Sequence, residues 1–306
     1  MGPHPFTLRQ LQYVVAVAEA LSFRRAAERC HVSQPSLSAQ LAQVEEALGV
    51  RLFERNRRRV LATSAGKELV ERARRVLIEA DDLAQAAQRV GDPLAGTLRV
   101  GVIPTISPYL LPSLTPRLKK QFPALTLAWI EDKTSTLVAR LDNGTLDAAL
   151  LALEADVGEV EHAVIAEDPF VLVVSPSDPL AKSKRPATTA ELRGAGVLLL
   201  DEGHCFRTQA LELCSSARAN ELEFRATSLS TLVQMVAGGA GVTLLPALAV
   251  ETETQRAELR VRHFEKPAPH RTIALVWRKR SPLGAALRSV AREIREAYPK
   301  ASRRVA

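Results

Sequence analysis

Only three cysteines occur in 306 residues, too few to staple a secreted scaffold. Long apolar runs are scarce as well. The uncharged stretch Met235 to Val250 is broken by Gly238, Gly239, Gly241 and Pro246, and it falls short of the roughly 20 apolar residues a membrane span needs. Arg9 and Glu19 bracket an amphipathic N-terminal segment, which excludes the unbroken apolar core of a signal peptide. His31, His162, His204, His263 and His270 are scattered and do not pair with cysteine at metal-ligand spacing. The run Gly238-Gly-Ala-Gly241 carries neither a phosphate-loop lysine nor a dinucleotide fingerprint. These absences predict no metal, no cofactor and no membrane, and a soluble protein of the reducing cytoplasm.

What the chain has is globular composition, 46% hydrophobic and 25% charged, over a length that implies two or three domains. Lys and Arg total 41 against 34 Asp and Glu, a formal charge of +7. Such an excess suggests a polyanionic partner, and where it lies matters more than its sum.

Much of it lies near the N-terminus, in a helical region. Leu8, Leu11, Val14, Val15 and Ala18 recur at helical spacing. A short helix follows from Ser22, a residue suited to N-capping, to Cys30. A third carries Leu37, Leu41, Val44, Glu45 and Leu48 until Gly49 stops it, with Pro35 in its first turn, where a missing N–H is harmless. Only Cys30-His31-Val32-Ser33 separates the second helix from the third, the short turn of a helix-turn-helix. Gln34, Ser36, Ser38 and Gln40 are its expected exposed positions, with hydroxyls and amides suited to base edges and phosphates in a major groove. Arg51 to Arg59 then hold five arginines against Glu54, a local +4 in nine residues, expected as a wing on the DNA backbone. Ser33, Gln34, Pro35, Ser36, Ser38, Gln40, Arg55, Arg57 and Arg58 are the candidate DNA contacts.

These residues also resemble a family. Ala26-Ala27, Val32 to Ser38, Glu45, Leu48-Gly49, Leu52-Phe53, Arg55, Thr63 and Gly66 are similar to the winged helix-turn-helix of LysR-type transcriptional regulators. The resemblance implies a DNA-binding N-terminal domain and a C-terminal effector domain. Val44 stands where leucine is more usual, a change expected to alter core packing only.

From Gly66 a long helix is predicted. Leu69, Ala73, Val76, Ala80, Leu83, Ala87 and Val90 recur in steps of four and three, holding heptad phase. The bland reading is an amphipathic helix lying on its own domain; the continuous seam favours a dimer, and the family resemblance implies the same. After Gly91-Asp92-Pro93, strands alternate with helices: Leu98–Ile103, a helix from Tyr109 to Gln121, Leu125–Ile130, a helix near Thr136 to Asn143, then Leu146–Leu153. Val171–Val174, Val197–Leu200 and Val242–Leu245 suggest a second lobe, with Ile273–Trp277 and a helix near Leu283 to Tyr298 returning to the first. The fold class is α/β: residues 1–65 a winged helix-turn-helix, 66–92 a dimerisation linker helix, and 93–306 a two-lobed effector domain built like a periplasmic binding protein.

Cys205 lies between His204 and Phe206, with Arg207 two residues on and a helix to follow. A free cysteine ionises near pH 8.5, so about a tenth or less is thiolate at neutral pH. A neighbouring cation and a helix N-terminus both favour thiolate, which makes Cys205 a candidate reactive thiol. Cys214 shares an apolar helix face with Ala210, Leu211 and Ala217 and reads as a small buried hydrophobe. Nine residues of helix hold their Cα atoms about 13 Å apart, whereas a disulfide needs less than about 7 Å. Bonding them requires the intervening segment to refold.

The same segment, His204-Cys205-x-Arg207-x-Gln209-Ala210-Leu211-x-x-Cys214, resembles the redox segment of the peroxide-sensing members of that family. Ile103-Pro-Thr105, Tyr109 to Pro112 and Arg271 to Val276 match them too. The resemblance implies a peroxidatic Cys205, resolved by Cys214 as an intramolecular disulfide. It implies that Thr105, Thr134, His204 and Arg271 bind peroxide and stabilise developing charge, with Arg207 as the neighbouring cation. It further implies promoter DNA and hydrogen peroxide as partners, a homodimer through the linker helix, a homotetramer, RNA polymerase as a further partner, and activation of antioxidant genes by a regulator that is not an enzyme. Phe206 replaces a common leucine, Thr208 stands where an acidic residue is frequent, and Cys30 is extra, read as a buried small residue. Two alternatives stay open here. One is a LysR-type regulator binding a small anionic metabolite between its lobes, with structural cysteines. The other is a thiol enzyme with a DNA-binding head, for which the chain lacks an oxyanion-hole motif.

Overall fold

A computed structural model of the chain describes residues 4–56, 59–88, 94–255 and 257–299. The chain divides into two compact units, Met1–Gln88 and Arg89–Ala306.

The first unit runs α1 (Leu8–Ala20), α2 (Phe23–Arg29), α3 (Gln34–Leu48), β1 (Phe53–Asn56), β2 (Arg59–Ala62) and α4 (Ser64–Gln88). Local chemistry sets each boundary. Thr7 and Gln10 form a capping box on α1, and the Ser22 and Ser33 hydroxyls accept from backbone N–H groups in the first turns of α2 and α3. Gly49 ends α3 in the left-handed conformation at φ 68°, which glycine adopts without strain. Ala26 and Ala27 are buried and let α2 approach the other helices closely. Val44 is 1% exposed, so its departure from leucine falls on packing.

Three further motif residues weld the antiparallel β1–β2 hairpin to the helices. Glu45 Oε1 accepts the backbone N–H groups of Leu52 and Phe53 at 2.7 and 3.2 Å. Thr63 donates its hydroxyl to the Arg51 carbonyl at 2.7 Å. At Gly66 a Cβ would stand 2.0 Å from the Leu52 carbonyl oxygen, so no larger residue fits there.

The second unit has two lobes. In the first, β3 (Gly96–Val102), β4 (Leu125–Glu131) and β5 (Ala148–Ala152) run parallel, with α5 (Ser107–Gln121) and α6 (Thr134–Asp142) between them. The second lobe contains β7 (Gly196–Leu200), α7 (Cys205–Ala217), β8 (Asn220–Ala226), α8 (Leu229–Ala237), β9 (Thr243–Pro246), α9 (Ala247–Thr254) and β10 (Arg260–His263). Two long antiparallel strands join them: β6 (Val160–Val174), placed before β7, and β11 (His270–Arg278), which pairs with β5 and leads into α10 (Gly284–Ala297). Each lobe has its own hydrophobic core.

The sequence pattern marks only Val171–Val174 as a strand here, whereas β6 begins eleven residues earlier, at Val160. Pro169 masked it, because proline within a run normally argues against a strand. In the fold Pro169 pairs with His270 of β11, and the next residue, Phe170, pairs with Pro246 of β9. The proline thus stands where β6 passes from one lobe's partner strand to the other's. Among the described residues no helix is long and apolar enough to cross a membrane.

Candidate functional site

In the second unit, three loop-to-helix junctions converge. β3 delivers Ile103, Pro104 and Thr105; Lys133 and Thr134 open α6; His204 and Cys205 open α7. Together these seven residues line one narrow pocket. Cys205 is the first residue of α7, two positions earlier than Arg207, where the sequence pattern began the helix. Helix N-termini carry partial positive charge and favour an anion, which suits a thiolate.

The pocket's polar groups are poised. Thr134 is 6% exposed, and its Oγ1 is buried with no hydrogen-bond partner among the described residues. A hydroxyl left so costs about 1–3 kcal/mol, and a polar guest in the pocket would satisfy it. Thr105 is better supported. The fully buried Arg271 donates from Nη1 to Thr105 Oγ1 at 2.6 Å and from Nη2 to the Thr105 carbonyl at 3.1 Å. Because guanidinium only donates, the Thr105 hydroxyl oxygen acts there as acceptor and keeps its own hydrogen for a pocket guest. Burial first, then the Lys133 cation, push the His204 imidazole below its ordinary value, against an opposing pull from Asp201. Both causes favour the neutral ring.

Arg271 does not line the pocket. It acts through Thr105, and its guanidinium lies 5.7 Å from the centre of the Phe206 ring. Asp168, its cross-strand neighbour, takes Nε and Nη2 on Oδ2 at 3.0 and 2.9 Å. The other Asp168 oxygen accepts the Leu248 N–H at 2.9 Å.

Arg207, expected as the cation beside the thiol, does not line the pocket either. Two residues along a helix turn about 200° around its axis, so Arg207 faces away from Cys205. Its guanidinium donates to the Leu200 carbonyl at 3.0 Å and to Glu221 at 2.7 Å, clamping α7 to β7 and β8. The cation at the pocket is Lys133, which the sequence reading missed; only its position before Thr134 could have flagged it. Asp168 was missed as well.

Cys214 lies on the same helix, 3% exposed within the second lobe's core. Burial first, then the Glu221 carboxylate, push its thiol up to about 11, so it is protonated and shielded. Cys30, Cys205 and Cys214 are all free thiols. Cys30 is half-buried at the end of α2. Among the described residues no group of three His, Cys, Asp or Glu side chains could hold a metal ion.

In the first unit, Ser33, Gln34, Pro35 and Ser36 are exposed, while Ser38 and Gln40 are half-buried. The exposed face of α3 continues through Ala39, Ala42 and Gln43, which the sequence reading did not include. The Ser33 hydroxyl caps α3 by accepting the Ser36 N–H at 3.3 Å. Arg55 stands in β1; Arg57 and Arg58, between the paired strands in sequence, lie outside the described residues, as does the Arg55 side chain. On α4, Ala73 is buried and Leu69 half-buried, whereas Val76 is 45% and Leu83 73% exposed. Val90, the last residue of the expected seam, lies outside the described residues.

Two family models match the chain: the bacterial regulatory helix-turn-helix protein of the lysR family over residues 8–67, and the LysR substrate binding domain over residues 91–299. A hydrogen peroxide-inducible genes activator of Pectobacterium carotovorum is 46% identical, covering 94% of this chain and 96% of that protein. The DNA-binding transcriptional dual regulator OxyR of Escherichia coli is 45% identical, covering 94% of each. Among solved structures, a variant of full-length OxyR from Pseudomonas aeruginosa superposes with a TM-score of 0.76 at 38% identity, covering 96% of each chain.

Proposed function

Because the chain belongs to the LysR family of DNA-binding transcriptional regulators, we propose that its response to hydrogen peroxide runs through Cys205 and Cys214. The protein is a peroxide-sensing activator of transcription and not an enzyme. In the proposed step the Cys205 thiolate attacks one peroxide oxygen, the O–O bond breaks, and hydroxide leaves to be protonated as water. Thr105 and Thr134 hold the peroxide by their hydroxyls, His204 borders it as a neutral ring, and Arg271 aims Thr105. Arg207 contributes by anchoring α7 rather than by its charge. The Cys214 thiol then attacks the sulfenic sulfur, water departs, and a Cys205–Cys214 disulfide forms.

One observation carries the reading. The two free cysteines stand nine residues apart on a single helix, about 13 Å by helical rise, with one at the pocket and the other in the core. A disulfide must therefore dismantle α7, which converts local oxidation into a conformational change. Residues 93–306 perform this sensing. Residues 1–65 contact promoter DNA through Ser33, Gln34, Pro35, Ser36, Ser38 and Gln40 of the recognition helix and Arg55, Arg57 and Arg58 of the wing. Residues 66–92 pair two protomers through the exposed Val76 and Leu83 stripe. Pairs of dimers form a tetramer that contacts RNA polymerase, in the cytoplasm.

A brief peroxide pulse on the reduced full-length chain, followed by alkylation and mass spectrometry, tests the reading. A Cys205–Cys214 cross-link is expected, together with a changed DNA footprint. A footprint that still responds to peroxide in C205S would overturn it.

A further inference from the structure

Lys133 has no part in the chemistry above, yet it forms a wall of the pocket. It precedes α6 in the first lobe with extended backbone, φ −65° and ψ 152°. Its ammonium donates to the Glu202 carbonyl at 2.6 Å and stands 3.8 Å from the Asp201 carboxylate. Both partners belong to the loop between β7 and α7, so the side chain crosses from one lobe to the other. Its alkyl stem runs against Gly203. A Cβ there would lie 2.8 Å from Lys133 Cδ, and Gly203 sits at φ +88°, so this loop is shaped around the stem. The stem is thus held at both ends, by its own backbone and by the carbonyl it donates to.

We propose that Lys133 is a lid that decides which hydroperoxides reach Cys205, admitting hydrogen peroxide and excluding those with a bulky organic group. The inference rests on Cys205 being the reacting thiol, as argued above. For any hydroperoxide ROOH, the sulfur attacks the terminal oxygen, the S–O bond forms and the O–O bond breaks. Sulfur is oxidised by two electrons and the peroxide reduced; RO⁻ departs and is protonated by the equivalent of the proton the thiol lost, giving sulfenic acid and ROH. The departing oxygen lies on the side away from sulfur, so whatever it carries must occupy the far end of the pocket. A hydrogen needs no room there. A cumyl group, with its ring and two methyls, meets the walls of this narrow pocket beneath a tethered stem.

The readout is a ratio: the second-order rate constant for Cys205 oxidation by cumene hydroperoxide over that by hydrogen peroxide. Quenched-flow alkylation and mass spectrometry on the reduced full-length chain supply both numbers. General damage to the site lowers both rates and leaves the ratio alone. K133A should raise the ratio by about tenfold or more, the scale on which pocket sterics discriminate. K133R, which keeps both a stem and a donor for the Glu202 carbonyl, should stay within about threefold of wild type. A ratio unchanged in K133A overturns the lid, and an equal rise in K133R overturns its basis in a tethered stem. Failure of hydrogen peroxide to oxidise wild-type Cys205 would instead remove the underlying assignment, and the lid with it.

Discussion

Asp168 and Arg271 form an ion pair with both side chains 0% exposed, a setting that penalises any charge left alone. The pair persists because its polar atoms are used: Asp168 takes two guanidinium nitrogens and the Leu248 N–H, and Arg271 also holds Thr105. Removing one partner of such a pair costs about 3–5 kcal/mol. D168A should therefore lower the calorimetric unfolding midpoint of the reduced chain by about 10 °C, and a shift within a degree or two would show that Arg271 finds a substitute partner. A second residue gives a pH signature. The folded Cys214 thiol is held up to about 11, well above the ordinary range of a free thiol, so the folded chain keeps this proton where the unfolded chain releases it. Stability from this source is complete below about pH 9 and is lost as pH rises toward 11. Melting midpoints of wild type and C214A, both reduced, should diverge across that window, with wild type falling more steeply; parallel curves would contradict the burial argument. These residues differ in how legible they were. Cys205, Cys214 and Thr105 stand in compact motifs, whereas Asp168 meets Arg271 only through pairing of strands 103 residues apart. Arg207 misled for a related reason, since neighbours in sequence face opposite sides of a helix.

At the scale of the element, α7 is the part that would give way in the proposed disulfide. Phe206 is 2% exposed, packs edge-on against Phe170 at 5.2 Å, and offers its face to Arg271. Gln209 Nε2 donates to Glu154 at 3.1 Å, and Glu154 in turn accepts the Thr272 N–H at 2.6 Å, next to Arg271 on β11. Arg207 adds its clamp to β7 and β8. All these contacts belong to the reduced helix, so weakening them would favour the proposed disulfide form. Truncating a buried phenylalanine costs about 3–5 kcal/mol, and about 1.4 kcal/mol corresponds to 30 mV for a two-electron couple. F206A should move the Cys205–Cys214 potential by roughly 60 mV or more in the negative direction, measured against thiol buffers of known potential. A potential unmoved by F206A would mean that the ring stays packed in the oxidised form. The helix itself was readable from its apolar face, but its tethers were not: Phe170, Glu154 and Glu221 reach α7 from distant strands and loops. The β1–β2 wing was likewise readable as charge, while Glu45, Thr63 and Gly66 gained a physical reason only from the backbone groups they meet.

For the whole molecule, the wing and the stripe on α4 are one problem if two protomers pair as proposed. Val76 and Leu83 are exposed apolar residues in heptad phase with the buried Ala73, and pairing along them would bring two DNA-binding heads onto one operator. Each arginine that neutralises a phosphate contributes about 0.9 to the slope of log affinity against log salt. Removing Arg57 and Arg58 together from one head therefore lowers that slope by about 1.8, from two heads by about 3.6, and from all four heads of a tetramer by about 7. The size of the loss thus counts how many heads touch the DNA. For R57A/R58A titrated by fluorescence anisotropy between 50 and 200 mM salt, a loss of about 3.6 is expected on a single two-fold site. The same pair of substitutions in an L83E background, where a charge interrupts the stripe, should lower the slope by about half as much. An equal loss in both backgrounds would place the pairing surface elsewhere than α4, and no loss in either would take the wing off the DNA.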